Sequence, residues 1–262
     1  MGLVGLDKET VLVFLPLFPG TLSLVGSTLL VRLLLKSKCR LPYRRILFVL
    51  SIFDILNTIS ICLGPFLFPK GSFSWSTGSQ RKYAVGTEAT CVAIGFINQL
   101  SYVPSFSYYG VSSLYYLLRI RYGVRDEYFG RYIEPMLHTF FIGYNFILAI
   151  IFAYLGLLGD PGYGFGCWIA PNPDIGCDVN CISTISWSVS GAMFFFIFAF
   201  LLVSNVLIYK HVRTTYIKSQ RRSIAGTEVS DGQIRAVARQ AFLYILVFVS
   251  LFYAAERLRF AW

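Results

Sequence analysis

The sequence is poor in charge, poorer in acid and nearly empty of histidine. Charged residues make up 14% of its 262 positions, against about a quarter in an ordinary soluble domain, and 13 acidic residues face 23 basic ones. The two histidines, His138 and His211, are far apart in sequence, and there is no His-Glu-x-x-His and no Gly-x-Ser-x-Gly. Those absences remove the common metal-hydrolase and serine-nucleophile arrangements, so neither an enzyme nor a cofactor is expected. Neither histidine neighbours a cysteine cluster, so no metal site is expected. There is also no Asn-x-Ser/Thr glycosylation acceptor.

What fills the chain is apolar and aromatic: 56% hydrophobic residues, with 24 Phe and 17 Tyr. These gather in six stretches, approximately 11–35, 46–68, 91–118, 135–158, 183–209 and 234–255. A helix of about 20 apolar residues spans the hydrocarbon core, because in lipid every backbone amide must be satisfied within its own segment. The expected fold is therefore all-α, one membrane bundle of six transmembrane helices. The first stretch follows a single lysine flanked by Asp7 and Glu9 and is too long for a signal peptide, so it is read as a retained signal anchor. No internal repeat of the inverted-transporter kind is visible.

Basic residues concentrate in alternate loops. Arg32, Lys36, Lys38, Arg40, Arg44 and Arg45 flank the first loop, four more bases lie in the third, and seven lie in and beside the fifth. Bases are retained on the cytoplasmic side, so the odd loops face the cytoplasm and the N-terminus faces outward. The net charge of +10 thus sits at a membrane surface facing anionic headgroups of the bilayer, and nucleic-acid binding is not expected. Plasma membrane is the expected location, an internal membrane the alternative. Residues 210–233 are rich in Ser, Gly and charge towards their end and are expected to form a flexible cytoplasmic loop, with Thr214, Thr215, Ser223 and Thr227 as conceivable phosphoacceptors. His138 and His211 are read as interfacial residues.

Of six cysteines, Cys91, Cys167, Cys177 and Cys181 fall on the outer, oxidising side. Four cysteines allow three pairings. Cys91 with Cys167 is favoured, because it ties the third helix to the long fourth loop, and Cys177 with Cys181 then closes a short local loop; buried free thiols are the other reading.

Two features place polarity inside the membrane. Asp54 is the acidic residue well inside an apolar run, with Asn57 one turn on, and an intramembrane carboxylate needs a partner, an ion or water. The third stretch carries Asn98, Tyr102, Ser105, Tyr109, Ser112 and Tyr116 at alternating steps of four and three, which is one face of a helix. That face should point into the bundle, either as interhelical hydrogen bonding or as a ligand cavity lined by Asn98, Gln99 and Tyr102. Pro104 is expected to kink the helix.

The segment Leu50-Ser51-Ile52-Phe53-Asp54, Cys91 at the head of the third run, Tyr115-Tyr116-Leu117-Leu118 at its exit, and Gly166-Cys167-Trp168-Ile169 with Pro171 and Pro173 together resemble the G-protein-coupled receptor superfamily. The likeness is to its cyclic-AMP-receptor-like and secretin-like members and to receptor-like proteins of protists and microalgae. It implies an outer cavity for an unknown extracellular ligand and an inner face for a heterotrimeric G protein. It implies a Cys91–Cys167 bridge, and a switch or ion role for Asp54 with Asn57. Arg119, Arg121, Tyr122, Lys210, Arg213 and Lys218 would then face the G protein. It also implies a seventh helix, which a chain ending at Trp262 would lack, giving a shortened receptor. Ile120 stands where many receptors carry an acid before Arg121-Tyr122, so the arginine-restraining pair of those receptors is not expected. A channel or transporter subunit is the competing reading, since the same polar groups could line a pathway.

Overall fold

A computed structural model describes residues 8–36, 41–74, 78–162 and 166–222. They are mostly helical. Helix α1 (Lys8–Phe14) is followed by α2 (Leu17–Lys36) and α3 (Pro42–Leu63). A short hairpin, β1 (Phe73–Ser74) with β2 (Ser79–Gln80), leads into the long α4 (Glu88–Arg121). A turn of α-helix, α5 (Asp126–Tyr128), passes through a π-helical segment, Phe129–Ile133, into α6 (Glu134–Tyr154). A second hairpin pairs β3 (Leu158–Gly159) with β4 (Trp168–Ile169). Then α7 (Val179–Ser186) runs through another π segment, Trp187–Gly191, into α8 (Ala192–Arg222).

Four of these helical stretches are long and apolar enough to cross a membrane: Leu17–Lys36, Pro42–Leu63, Asp126–Tyr154 and Val179–Thr215. The third expected crossing, α4, is long enough at 34 residues. Its Asn, Gln, five serines and five tyrosines hold its hydropathy below that of the other four. The sixth, 234–255, lies outside the described residues.

Element ends differ from the apolar runs for local reasons. The first run divides at Leu15–Pro16, because Pro16 cannot donate to the turn before it. Helix α3 starts with Pro42 in its first turn and stops at Leu63, where Gly64 and Pro65 follow, so 64–68 are not helical. Residues 210–222, expected in a loop, instead extend α8: no Gly or Pro interrupts 192–222, and Lys, Arg and Gln are good helix formers. Helix α4 runs unbroken through Pro104.

The chain groups into two compact units, one from Met1–Ser112 with Asp126–Ile197, the other from Ser113–Arg125 with Phe198–Trp262. The first unit has a capped end, where both hairpins lie over the end of α3, the start of α4 and the end of α6. Here one cluster packs Phe68, Ala84, Cys91, Ile94 and Cys167, and another packs Phe152, Leu157, Leu158, Ile169 and Ile182. In the second unit, Ser113 of α4 meets Ser204 of α8, hydroxyl to hydroxyl at 2.5 Å.

Candidate functional site

The capped end is built from loops that would be loose on their own. Cys91, in the first turn of α4, is bonded to Cys167 in the loop before β4, and Cys177 to Cys181. Cys62 is free, and Cys39 lies outside the described residues. Arg81 of the first hairpin lies over the Phe68 ring, 3.6 Å from its centre, and donates to Asp160 Oδ1 at 3.1 Å, joining one hairpin to the other. From the N-terminal side, Glu9 Oε1 accepts from the Lys82 amide at 2.5 Å, and Thr10 meets the Tyr83 hydroxyl at 3.0 Å.

Under this cover the side chains are polar but incompletely partnered. Trp168 Nε1 donates to Gln99 Oε1 at 2.8 Å, and the Trp168 ring meets Tyr102 edge-on at 5.5 Å. Gln99 is fully buried, yet its Nε2 has no partner among the described residues, nor have Asn57 Oδ1 and Asn98 Oδ1. Tyr102, Val103, Phe106, Ser190, Phe194 and Ile197 enclose a cavity with room for about one water molecule. Ser190 Oγ there is buried and unpartnered as well.

Asp54 is met from α4: Ser105 Oγ and the Tyr109 hydroxyl both donate to it, the latter at 3.2 Å. Asn57, the neighbour expected to share its role, keeps a buried side-chain oxygen without a partner among the described residues. The α4 face is thus only partly as expected. Its buried seam is Ile94, Ser101, Ser105, Tyr108, Val111 and Tyr115, with Tyr108 at 0% exposure, whereas Tyr109 and Tyr116 are 36% and 40% exposed. Ser101 and Ser107, which are not on the expected face, are buried all the same and donate to the carbonyls of Ile97 and Val103 in their own helix.

Sequence reasoning missed a second cluster, at the opposite end of α3. Arg45 donates to Glu134 through two nitrogens, Nε to Oε1 at 2.7 Å and Nη2 to Oε2 at 2.6 Å. His138 Nε2 lies 3.4 Å from Glu134 Oε1, and its Nδ1 is hydrogen-bonded to the Tyr108 hydroxyl. The Tyr108 ring stacks between His138 and Phe53. The i, i+4 spacing of Glu134 and His138 was the available signal.

In the second unit, Arg119 donates to the Val124 carbonyl at 3.2 Å and Arg121 lies over the exposed Tyr122 ring. Lys210 and Arg213 are exposed on α8, and the Lys218 side chain lies outside the described residues.

Among the described residues no group of three or more His, Cys, Asp or Glu side chains could hold a metal. Neither a protein-family model nor a curated protein matches the chain. Fold and site therefore define a class: a mostly helical protein, with helices fit to cross a membrane and a disulfide-tied cap over a partly unpartnered polar interior.

Proposed function

We propose that this chain is a G-protein-coupled-receptor-like membrane protein, a six-crossing bundle of the seven-helix receptor type. It sits in the plasma membrane with its N-terminus and disulfides outside, senses a ligand at the capped end, and signals to a heterotrimeric G protein. The observation that carries the reading is the bond from the first turn of α4, its most polar long helix, to the loop between α6 and α7. That bond anchors a lid over Gln99 and Tyr102, while the same helix holds Asp54 through Ser105 and Tyr109 further down. A polar helix fixed to the lid at one end and to an intramembrane carboxylate lower down can pass a change at the cap towards the other side. The basic residues Arg119, Arg121, Lys210 and Arg213 belong to the second unit and would meet the acidic surface of a transducer.

The test is nucleotide exchange. The full chain in lipid nanodiscs, mixed with purified heterotrimers of each major class, should raise guanine-nucleotide exchange above that of empty discs. Charge reversal of Arg119 and Arg121 together should abolish the increase. Asn57 Oδ1, Asn98 Oδ1 and Gln99 Nε2, unpartnered among the described residues, would equally suit a solvated pathway. Solute flux in proteoliposomes without any exchange would favour the channel or transporter reading.

A further inference from the structure

The first hairpin of the capped end carries a buried arginine with more donors than partners. Resting on the receptor reading only for the existence of a ligand at this end, we propose that Arg81 and Ser72 recognise a carboxylate group on that ligand. Asp160 fills the site from within until the ligand replaces it.

Ser72 and Arg81 continue the β1–β2 ladder by one pair: Phe73 faces Gln80, and the Arg81 amide donates to the Ser72 carbonyl at 2.9 Å. Residues paired across two strands send their side chains to one face, with Cβ atoms about 5 Å apart. Both side chains on this face are short of partners, since Arg81 Nε and Ser72 Oγ are each buried with none among the described residues. The Arg81 side chain is only 8% exposed, and its guanidinium lies over the buried Phe68 ring. That ring covers one face of the guanidinium and leaves its edge, where the N–H groups are, for partners.

Asp160 uses that edge poorly. Its Oδ1 takes a single bond, from Nη2 at 3.1 Å, and shares the same oxygen with the Gly162 amide at 2.8 Å. Arg45 shows the matched arrangement, giving Nε and Nη2 to the two oxygens of Glu134 at 2.7 and 2.6 Å. A free carboxylate is not tied to a loop amide, so it can take Nε and Nη2 together and accept from Ser72 Oγ as well. An amine would meet donors and a positive charge. Glu9 does not compete for these donors: its Oε1 accepts from the Lys82 amide, which points away from β1, and it leaves Arg81 Nε unpartnered. Exchange of Asp160 for a ligand would untie one hairpin from the other, while the Cys91–Cys167 bond keeps the lid attached to α4.

The test uses the whole protein in nanodiscs, with acetate as the carboxylate and the unfolding temperature as the readout. In Asp160→Ala, acetate should raise that temperature saturably, whereas acetamide, or chloride at equal ionic strength, should not. Wild type should need about tenfold more acetate, the factor by which an internal competitor that fills the site about nine-tenths of the time weakens binding. Adding Arg81→Gln to Asp160→Ala should abolish the response, and adding Ser72→Ala should weaken it. Equal responses to acetate and chloride in Asp160→Ala, or an acetate response that survives Arg81→Gln, would overturn the proposal. If Asp160→Ala does not fold, Asp160→Asn keeps the shape without the charge, and a failure to bind acetate more tightly than wild type would overturn it equally. Acetate binding without nucleotide exchange would remove the receptor reading and leave this site standing; exchange without any acetate response would remove this site alone.

Discussion

The two ends of the first unit are held in different ways. The capped end has two disulfides, two hairpins, edge-on aromatic contacts and one loop-to-loop ion pair. Within this unit Asn57 Oδ1, Asn98 Oδ1, Gln99 Nε2 and Ser190 Oγ are buried without a partner among the described residues. The Arg45 end has no covalent tie among the described residues, yet its arginine, carboxylate, imidazole and phenol form a connected set of hydrogen bonds. A covalent tie fixes backbone positions without needing polar groups to match, so the interior under it can keep groups open to water or a ligand. A charge network holds helices only while its partners are matched.

Removing the covalent tie should have the largest effect. Cys91 and Cys167 are 76 positions apart, and in the chain-entropy account a bond closing so long a loop contributes about 4 kcal/mol. Cys91→Ser should lower the unfolding temperature of the purified protein, and reductant should do the same to wild type while leaving Cys91→Ser almost unchanged. At the other end, Glu134→Gln leaves Arg45 beside an uncharged amide and should cost about 2–3 kcal/mol, discounted because the Arg45 side chain is 39% exposed. Its loss should be insensitive to reductant, which separates the two mechanisms. Gly130→Ala sharpens this: a Cβ there would sit 2.7 Å from Arg45 Nη2, so the guanidinium must shift, with an expected cost of about 1–2 kcal/mol in the same unfolding measurement. The smallest effect should be Trp168→Phe, which keeps the ring on Tyr102 but removes the donor to Gln99 Oε1. About 1 kcal/mol is expected, with faster amide exchange confined to the second hairpin.

Some of this was legible before any coordinates. Four of the apolar runs correspond to helices fit to cross a membrane, and Cys91, Cys167, Cys177 and Cys181 pair as favoured, because run length and cysteine placement are one-dimensional quantities. Asp54 was identifiable as a group needing partners, although Asn57, its neighbour in sequence, does not satisfy its own oxygen, and Ser105 and Tyr109 are the donors. The α4 seam was misjudged because adjacent tyrosines occur in pairs, and sequence spacing did not tell that Tyr108 and Tyr115 are buried while Tyr109 and Tyr116 are 36% and 40% exposed. The contact of His138 with Tyr108 was not legible because the hydroxyl comes from a helix 30 positions earlier.

The chain's order of residues thus determined where lipid-compatible helices can form, which loops carry positive charge and which thiols can meet, since each depends on local composition. Only the tertiary structure decided which side of α4 is buried, which groups hold Asp54, and that Arg45, Glu134, His138 and Tyr108 form one cluster. Those outcomes depend on the rotation of each helix about its axis. Packing against neighbours sets that rotation, and a helix with hydroxyls on several faces does not encode it.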